Sequence, residues 1–117
     1  MENEKVFAMP FAKVYPLLIA KAERKGRTRA EVYAVTRWLT GYTDEQLDDF
    51  LGSDLTYGAF FRDAPCPNEA RRLVKGSVCG VKLETIQDPL MWEVRCLDKL
   101  VDELAKGKPL EKILRKA

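Results

Sequence analysis

"DPLMWEVRCLDKLVDELAKG", residues 88–107, decides the fold. Asp88 is a helix-capping residue type, and Pro89 suits the first helical position, where its missing N–H is not needed. Leu90, Val94, Leu97, Val101 and Leu104 recur at steps of four and three, and Met91, Trp92, Cys96 and Leu100 widen the stripe. Gly107 closes the pattern. The spacing predicts a long helix from Pro89 to Lys106. Its heptad repeat lasts only about two heptads, short of the three or four that define a coiled coil, and the stripe is wider than a coiled-coil seam. The helix therefore reads as the centre of a core.

Other helices are predicted on both sides of it. Pro109 opens a short one through Leu110, Ile113 and Leu114. Thr28 with Glu31 three residues on is a capping box, and Val32, Val35, Trp38 and Leu39 share the face that follows, up to Gly41. Thr43 with Gln46 is a second box, opening a helix through Leu47, Phe50 and Leu51 to Gly52. Phe11 to Lys25 has helical content but carries Pro16, which either kinks the helix or restarts it, and Gly26 ends it. Tyr57–Asp63 reads as one more short helix. Pro65 and Pro67 force a loop, Asn68 can cap a turn over Glu69–Val74, and residues 73–86 stay open between helix, extended chain and loop. The whole is an all-α bundle of about five to six helices, a single domain over residues 1–117, with one irregular Pro/Gly-containing connection around 64–82.

Composition narrows the function. The chain has 117 residues, 46% hydrophobic and 32% charged, as an ordinary globular protein does. Its longest apolar run, Leu17–Ala20, is far short of the roughly 20 residues of a membrane span, so no membrane association is expected. The acidic opening Met-Glu-Asn-Glu-Lys lacks a signal-peptide layout. Three cysteines, Cys66, Cys79 and Cys96, read as free thiols of a cytoplasmic protein. There is no histidine, which removes Ser-His and Cys-His catalysis and histidine metal sites, and the cysteines lack the short spacing of a zinc site. No metal or cofactor is expected.

Charge is unevenly placed. Residues 1–43 carry +4, residues 44–70 carry −6 and residues 71–117 carry +4. These segments either neutralise one another within the fold or form acidic and basic faces that meet in different subunits. Residues 28–51 superficially resemble a helix-turn-helix, but Asp44, Glu45, Asp48 and Asp49 on the second helix would repel phosphates, which argues against nucleic acid.

Two stretches carry candidate sites. In "GSVCG", residues 76–80, Cys79 is one position late for a nucleophile elbow and Ser77 one early, and neither has a histidine to activate it. Cys79 reads as a packing thiol, with reactivity as the alternative. In "KAERKGRTR", residues 21–29, five cations straddle a helix start. Lys25, Gly26, Arg27, Thr28 and Arg29 form a candidate anion site, because the first amides of a helix lack internal partners and arginine grips carboxylate or phosphate in a fork. The competing reading is a capped turn with solvated charges.

"FAKVYPLLIAKAERKGRT" (11–28), "WLTGYT" (38–43), "VKGSVCGV" (74–81) and "DPLMWEVRCLDKLVDELAKGKPLEKILRK" (88–116) together resemble a small bacterial family catalogued as domain of unknown function 2200. The resemblance covers nearly the full chain. It implies a stand-alone, single-domain bacterial protein and brings no activity, substrate or catalytic residue with it. The function stays unknown at this level. The preferred expectation is a self-associating interaction module; the alternative is an anion- or small-ligand-binding protein or enzyme working through residues 21–29 or Cys79.

Overall fold

The computed structural model of the protein describes residues 2–78 and 80–116. Its helices are α1 (Glu2–Ala8), α2 (Phe11–Glu23), α3 (Arg29–Thr40), α4 (Asp44–Leu51), α5 (Tyr57–Arg62), α6 (Pro89–Ala105) and α7 (Leu110–Ile113). Two 3-10 turns, Glu69–Leu73 and Leu83–Thr85, flank a hairpin of two-residue strands, β1 (Ser77–Val78) and β2 (Val81–Lys82), paired antiparallel with Val78 opposite Val81. The fold is thus the expected helical bundle with a long C-terminal helix, and the open 73–86 stretch resolves into this hairpin and a turn. No helix among the described residues is long and apolar enough to cross a membrane.

Asp88 accepts hydrogen bonds from the Leu90 and Met91 amides at 2.9 and 3.2 Å, and α6 runs on from that cap. Its stripe is buried from Met91 to Leu104, with Leu97, Leu100, Val101 and Leu104 fully enclosed. α6 packs against α2, α3, α5 and α7 and against β1, so it is the spine of the core. The Cα radius of gyration is 13.2 Å, close to the roughly 13 Å of a close-packed chain of this length.

The other half of the core is aromatic. Phe11 stacks on Tyr15 and Phe60 at 4.7 and 4.5 Å, Tyr42 stacks on Phe60 at 4.8 Å, and Phe61 meets Phe60 edge-on at 5.0 Å. Pairs of this kind contribute about 0.5–1.5 kcal/mol each beyond the area they bury. Buried hydroxyls among them find partners: Tyr15 shares a 2.6 Å bond with Thr36, and Tyr42 donates to the Phe60 carbonyl at 2.8 Å. The Tyr57 hydroxyl has no partner among the described residues.

Three local expectations need correction. First, the helix count is higher, because the acidic N-terminal segment forms α1. Phe7 seats α1 on α5 at Gly58, where a Cβ would stand 2.7 Å from the Phe7 Cβ. Pro10 pairs with Thr56 below it. Second, α2 does not restart at Pro16; the proline lies inside one continuous helix. It is exposed there, so the backbone bond it cannot make is left to solvent. Third, α2 ends at Glu23, and the turn closing on Gly26 takes Arg24 and Lys25 out of the helix.

Candidate functional site

The basic segment 21–29 is a corner between α2 and α3. Gly26 adopts φ 83°, and the chain reverses with its amide donating to the Glu23 carbonyl and the Arg27 amide to the Ala22 carbonyl, both at 3.0 Å. Thr28 then caps α3. Its Oγ1 accepts from the Glu31 amide at 3.2 Å, while Glu31 Oε1 accepts from the Thr28 amide at 3.0 Å. Arg27 turns inward: its Nε donates to both Glu31 oxygens at 3.1 Å, and its Nη1 donates to the carbonyls of Leu104 and Lys108 at 3.1 and 2.8 Å. The Arg27 guanidinium and the Thr28 amide together hold the Glu31 carboxyl down to about 2. Arg29 donates to the Tyr33 hydroxyl at 2.6 Å, and Tyr33 donates on to Asp48 at 2.6 Å.

Of the five residues of the candidate anion site, Arg27, Thr28 and Arg29 are therefore engaged with protein partners. An anion reaching the Thr28 amide would have to displace Glu31. Lys25 and Gly26 are exposed. Lys25 lines an open cavity of about 590 Å³ with Lys21, Arg24, Asp102 and Lys106, where Lys21 and Lys106 pair with Asp102 at 3.3 and 3.0 Å. The cavity lies between the C-terminal ends of α2 and α6, where cations complement the helix dipoles.

Cys79 lies outside the described residues. Its neighbours Val78 and Gly80 belong to the hairpin region, whereas a nucleophile elbow needs a strand leading into a helix. Cys96 is buried on α6, and burial pushes its thiol up to about 12. Cys66 is exposed.

A larger concavity than the one at Lys25 lies elsewhere, and three distant segments build it. The end of α3 supplies Arg37, Trp38 and Gly41; the loop at 66–70 supplies Cys66, Pro67 and Ala70; the C-terminal segment supplies Leu114 and Lys116. The result is an open groove of about 930 Å³. The loop is held because its amides complete α3: Cys66 donates to the Thr40 carbonyl at 3.0 Å and Asn68 to the Leu39 carbonyl at 3.2 Å. Gly41, at φ 84°, permits the approach, since a Cβ there would lie 2.7 Å from the Cys66 Cβ. The C-terminal wall is tied down by Arg115, whose two terminal nitrogens each donate to a Glu103 oxygen at 2.7 Å. Burial pushes the Glu103 carboxyl up, but Arg115, Lys108 and Lys99 together outweigh it and the net shift is downward.

Trp38, Pro67, Ala70 and Leu114 make the groove largely apolar, Arg37 and Lys116 place cations on its rim, and Glu69 adds one exposed acid to its lining. Arg37 also reaches Asp44 at 3.3 Å, so the rim borders the first residue of α4, whose Asp44, Glu45, Asp48 and Asp49 are all exposed. The spacing sets Trp38 on one helical face with Val32, Val35 and Leu39; its place at a groove depends on Pro67 and Leu114, which no local pattern connects to it. Among the described residues no cluster of three or more histidine, cysteine, aspartate or glutamate side chains is arranged to hold a metal.

A helical globule with an open apolar groove and a mixed-charge border is the class that fold and site define. The family is specific: over residues 5–115 the chain matches the model of the uncharacterized proteins conserved in bacteria known as DUF2200, and it belongs to that family. Among solved structures it is similar to the crystal structure of the uncharacterized protein SP1917, with 51% sequence identity and a TM-score of 0.91 over 95% of this chain and 91% of that one. A comparison with curated proteins found no match.

Proposed function

We propose that the protein is a cytoplasmic bacterial interaction module that associates with itself through the groove face. One observation carries this reading: the groove of about 930 Å³ is open and largely apolar, with half-buried Trp38 and Leu114 lining it and charges at its rim. Interfaces concentrate aromatic residues at an apolar centre and leave polar groups at the edge. Catalytic readings find little support, because the chain holds no histidine and Arg27, Thr28 and Arg29 are engaged internally. Free thiols at Cys66 and Cys96 suit a reducing compartment.

Sedimentation of the purified protein across about a hundredfold range of concentration tests the reading. The weight-average mass is expected to rise towards that of two chains, and Trp38→Ala is expected to hold it lower at every concentration. A mass that stays at one chain throughout would sink the proposal.

A further inference from the structure

From the charges around the groove we infer the register of that association: the acidic ridge of α4 on one copy seats against Arg37 and Lys116 on the other's groove rim, which outnumber the one acid lining it, Glu69. The inference rests on the self-association proposed above. Arg37 on the rim lies 3.3 Å from Asp44 at the start of α4, so the positive and negative patches meet edge to edge on one molecule. A surface with opposite charges side by side is self-complementary under a twofold rotation about their border. Each ridge then faces the other copy's rim, as a closed twofold interface requires. A lone cation-rimmed groove would instead favour an acidic partner of another kind.

The charges needed for the exchange are available. Glu45 and Asp49 on the ridge and Lys116 on the rim make no ion pair with any described residue, and all three are exposed. The Arg37–Asp44 pair is itself half-exposed, at 46% and 53%, and pairs of that kind contribute little within one molecule, so trading it for a pair across the interface loses little. The apolar groove supplies affinity, while the charges fix orientation and exclude wrong registers.

The test is a charge exchange read by sedimentation at low salt. One variant carries Arg37→Glu and Lys116→Glu, the other Glu45→Lys and Asp49→Lys. Lys116→Glu alone, which breaks no internal ion pair, guards against misfolding in the first, and thermal melting checks that each variant is folded. Each variant alone is expected to self-associate roughly tenfold or more weakly than the wild type, because like charges then face each other. An equal mixture of the two is expected to recover most of the lost affinity as a heterodimer. Wild-type protein that associates while both variants associate equally well, or a mixture that recovers nothing, would overturn the register and leave self-association standing. Wild-type protein that stays a single chain at millimolar concentration would overturn the self-association reading itself, and the register with it.

Discussion

The α2–α3 corner and the groove are both rimmed with cations, and they use them in opposite ways. At the corner, positive charge is dense in sequence, yet Arg27 is bound to Glu31, Leu104 and Lys108, and Arg29 is bound to Tyr33 and Asp48. At the groove, cations are sparse in sequence, but Arg37 and Lys116 stand at the mouth of an open apolar concavity. Density of charge along the chain therefore misleads about where charge is available. A guanidinium that can reach orphan carbonyls at a helix end stays there, because its five donors suit them and water is the weaker competitor. Among the described residues Lys116 has no such partner, and Arg37 has only the exposed Asp44, which leaves both open to recognition.

Substitutions can break or sharpen this contrast. The largest effect is expected at Leu97, fully buried on the helix that backs both regions. Leu97→Ala should lower stability by about 2–5 kcal/mol in thermal or denaturant melts. The loss should not depend on protein concentration; dependence would mean that Leu97 serves an interface.

Next comes Arg27, whose side chain is 14% exposed. Arg27→Ala strips the Leu104 and Lys108 carbonyls of a charged donor and leaves Glu31 unpaired, a loss of about 2–3 kcal/mol. A near-neutral result would return the corner to the solvated-charge reading.

At the groove, Gly41→Ala meets both a left-handed backbone and the Cys66 contact, and about 1–3 kcal/mol is expected. Unlike the Arg27 change, it should also displace the 66–68 loop, visible as shifts of the Cys66 and Asn68 amide resonances. Unmoved resonances would show that the loop is held from elsewhere.

A smaller effect comes from acid. Glu31 titrates lower in the folded chain, about 2, than its ordinary 4.5. Its contribution is present above the ordinary value and is lost as pH falls from about 4.5 to about 2. Glu31→Gln should flatten that part of the stability profile; a profile of unchanged slope would mean that other carboxylates dominate.

What could be read in the sequence was whatever a few neighbouring residues decide. The capping boxes at Thr28 and Thr43, the Asp88–Pro89 start and the stops at Gly41, Gly52 and Gly107 are contests between adjacent groups, and each stands where the spacing places it. The α1 helix was missed because its stability comes from Phe7 resting on Gly58, fifty-one residues away by number, and not from its own sequence. The 73–86 stretch stayed open because two-residue strands are too short to show alternation. The candidate site failed to appear for the same reason as α1: Trp38, Pro67 and Leu114 become neighbours only once α3, the proline loop and the C-terminal segment have packed. At residues 21–29 the local reading of Thr28 and Glu31 was sound, and what it lacked was Leu104 and Lys108, contributed from the far end of α6.

That last contact bears on the order in which the molecule is assembled. Arg27 meets the Leu104 and Lys108 carbonyls across sequence separations of 77 and 81 residues. The Thr28 box needs only residues 28–31 and the helix they open, whereas the Arg27 bonds wait until almost the whole polypeptide has been made and closed on itself. The corner is nucleated early and sealed late. Once sealed, the end of α6 cannot fray without freeing Arg27, so the two sites should open as one unit. Amide hydrogen exchange would then give Val32 and Lys108 matching opening free energies, and clearly different values would mean that the early and late halves of the corner come apart separately.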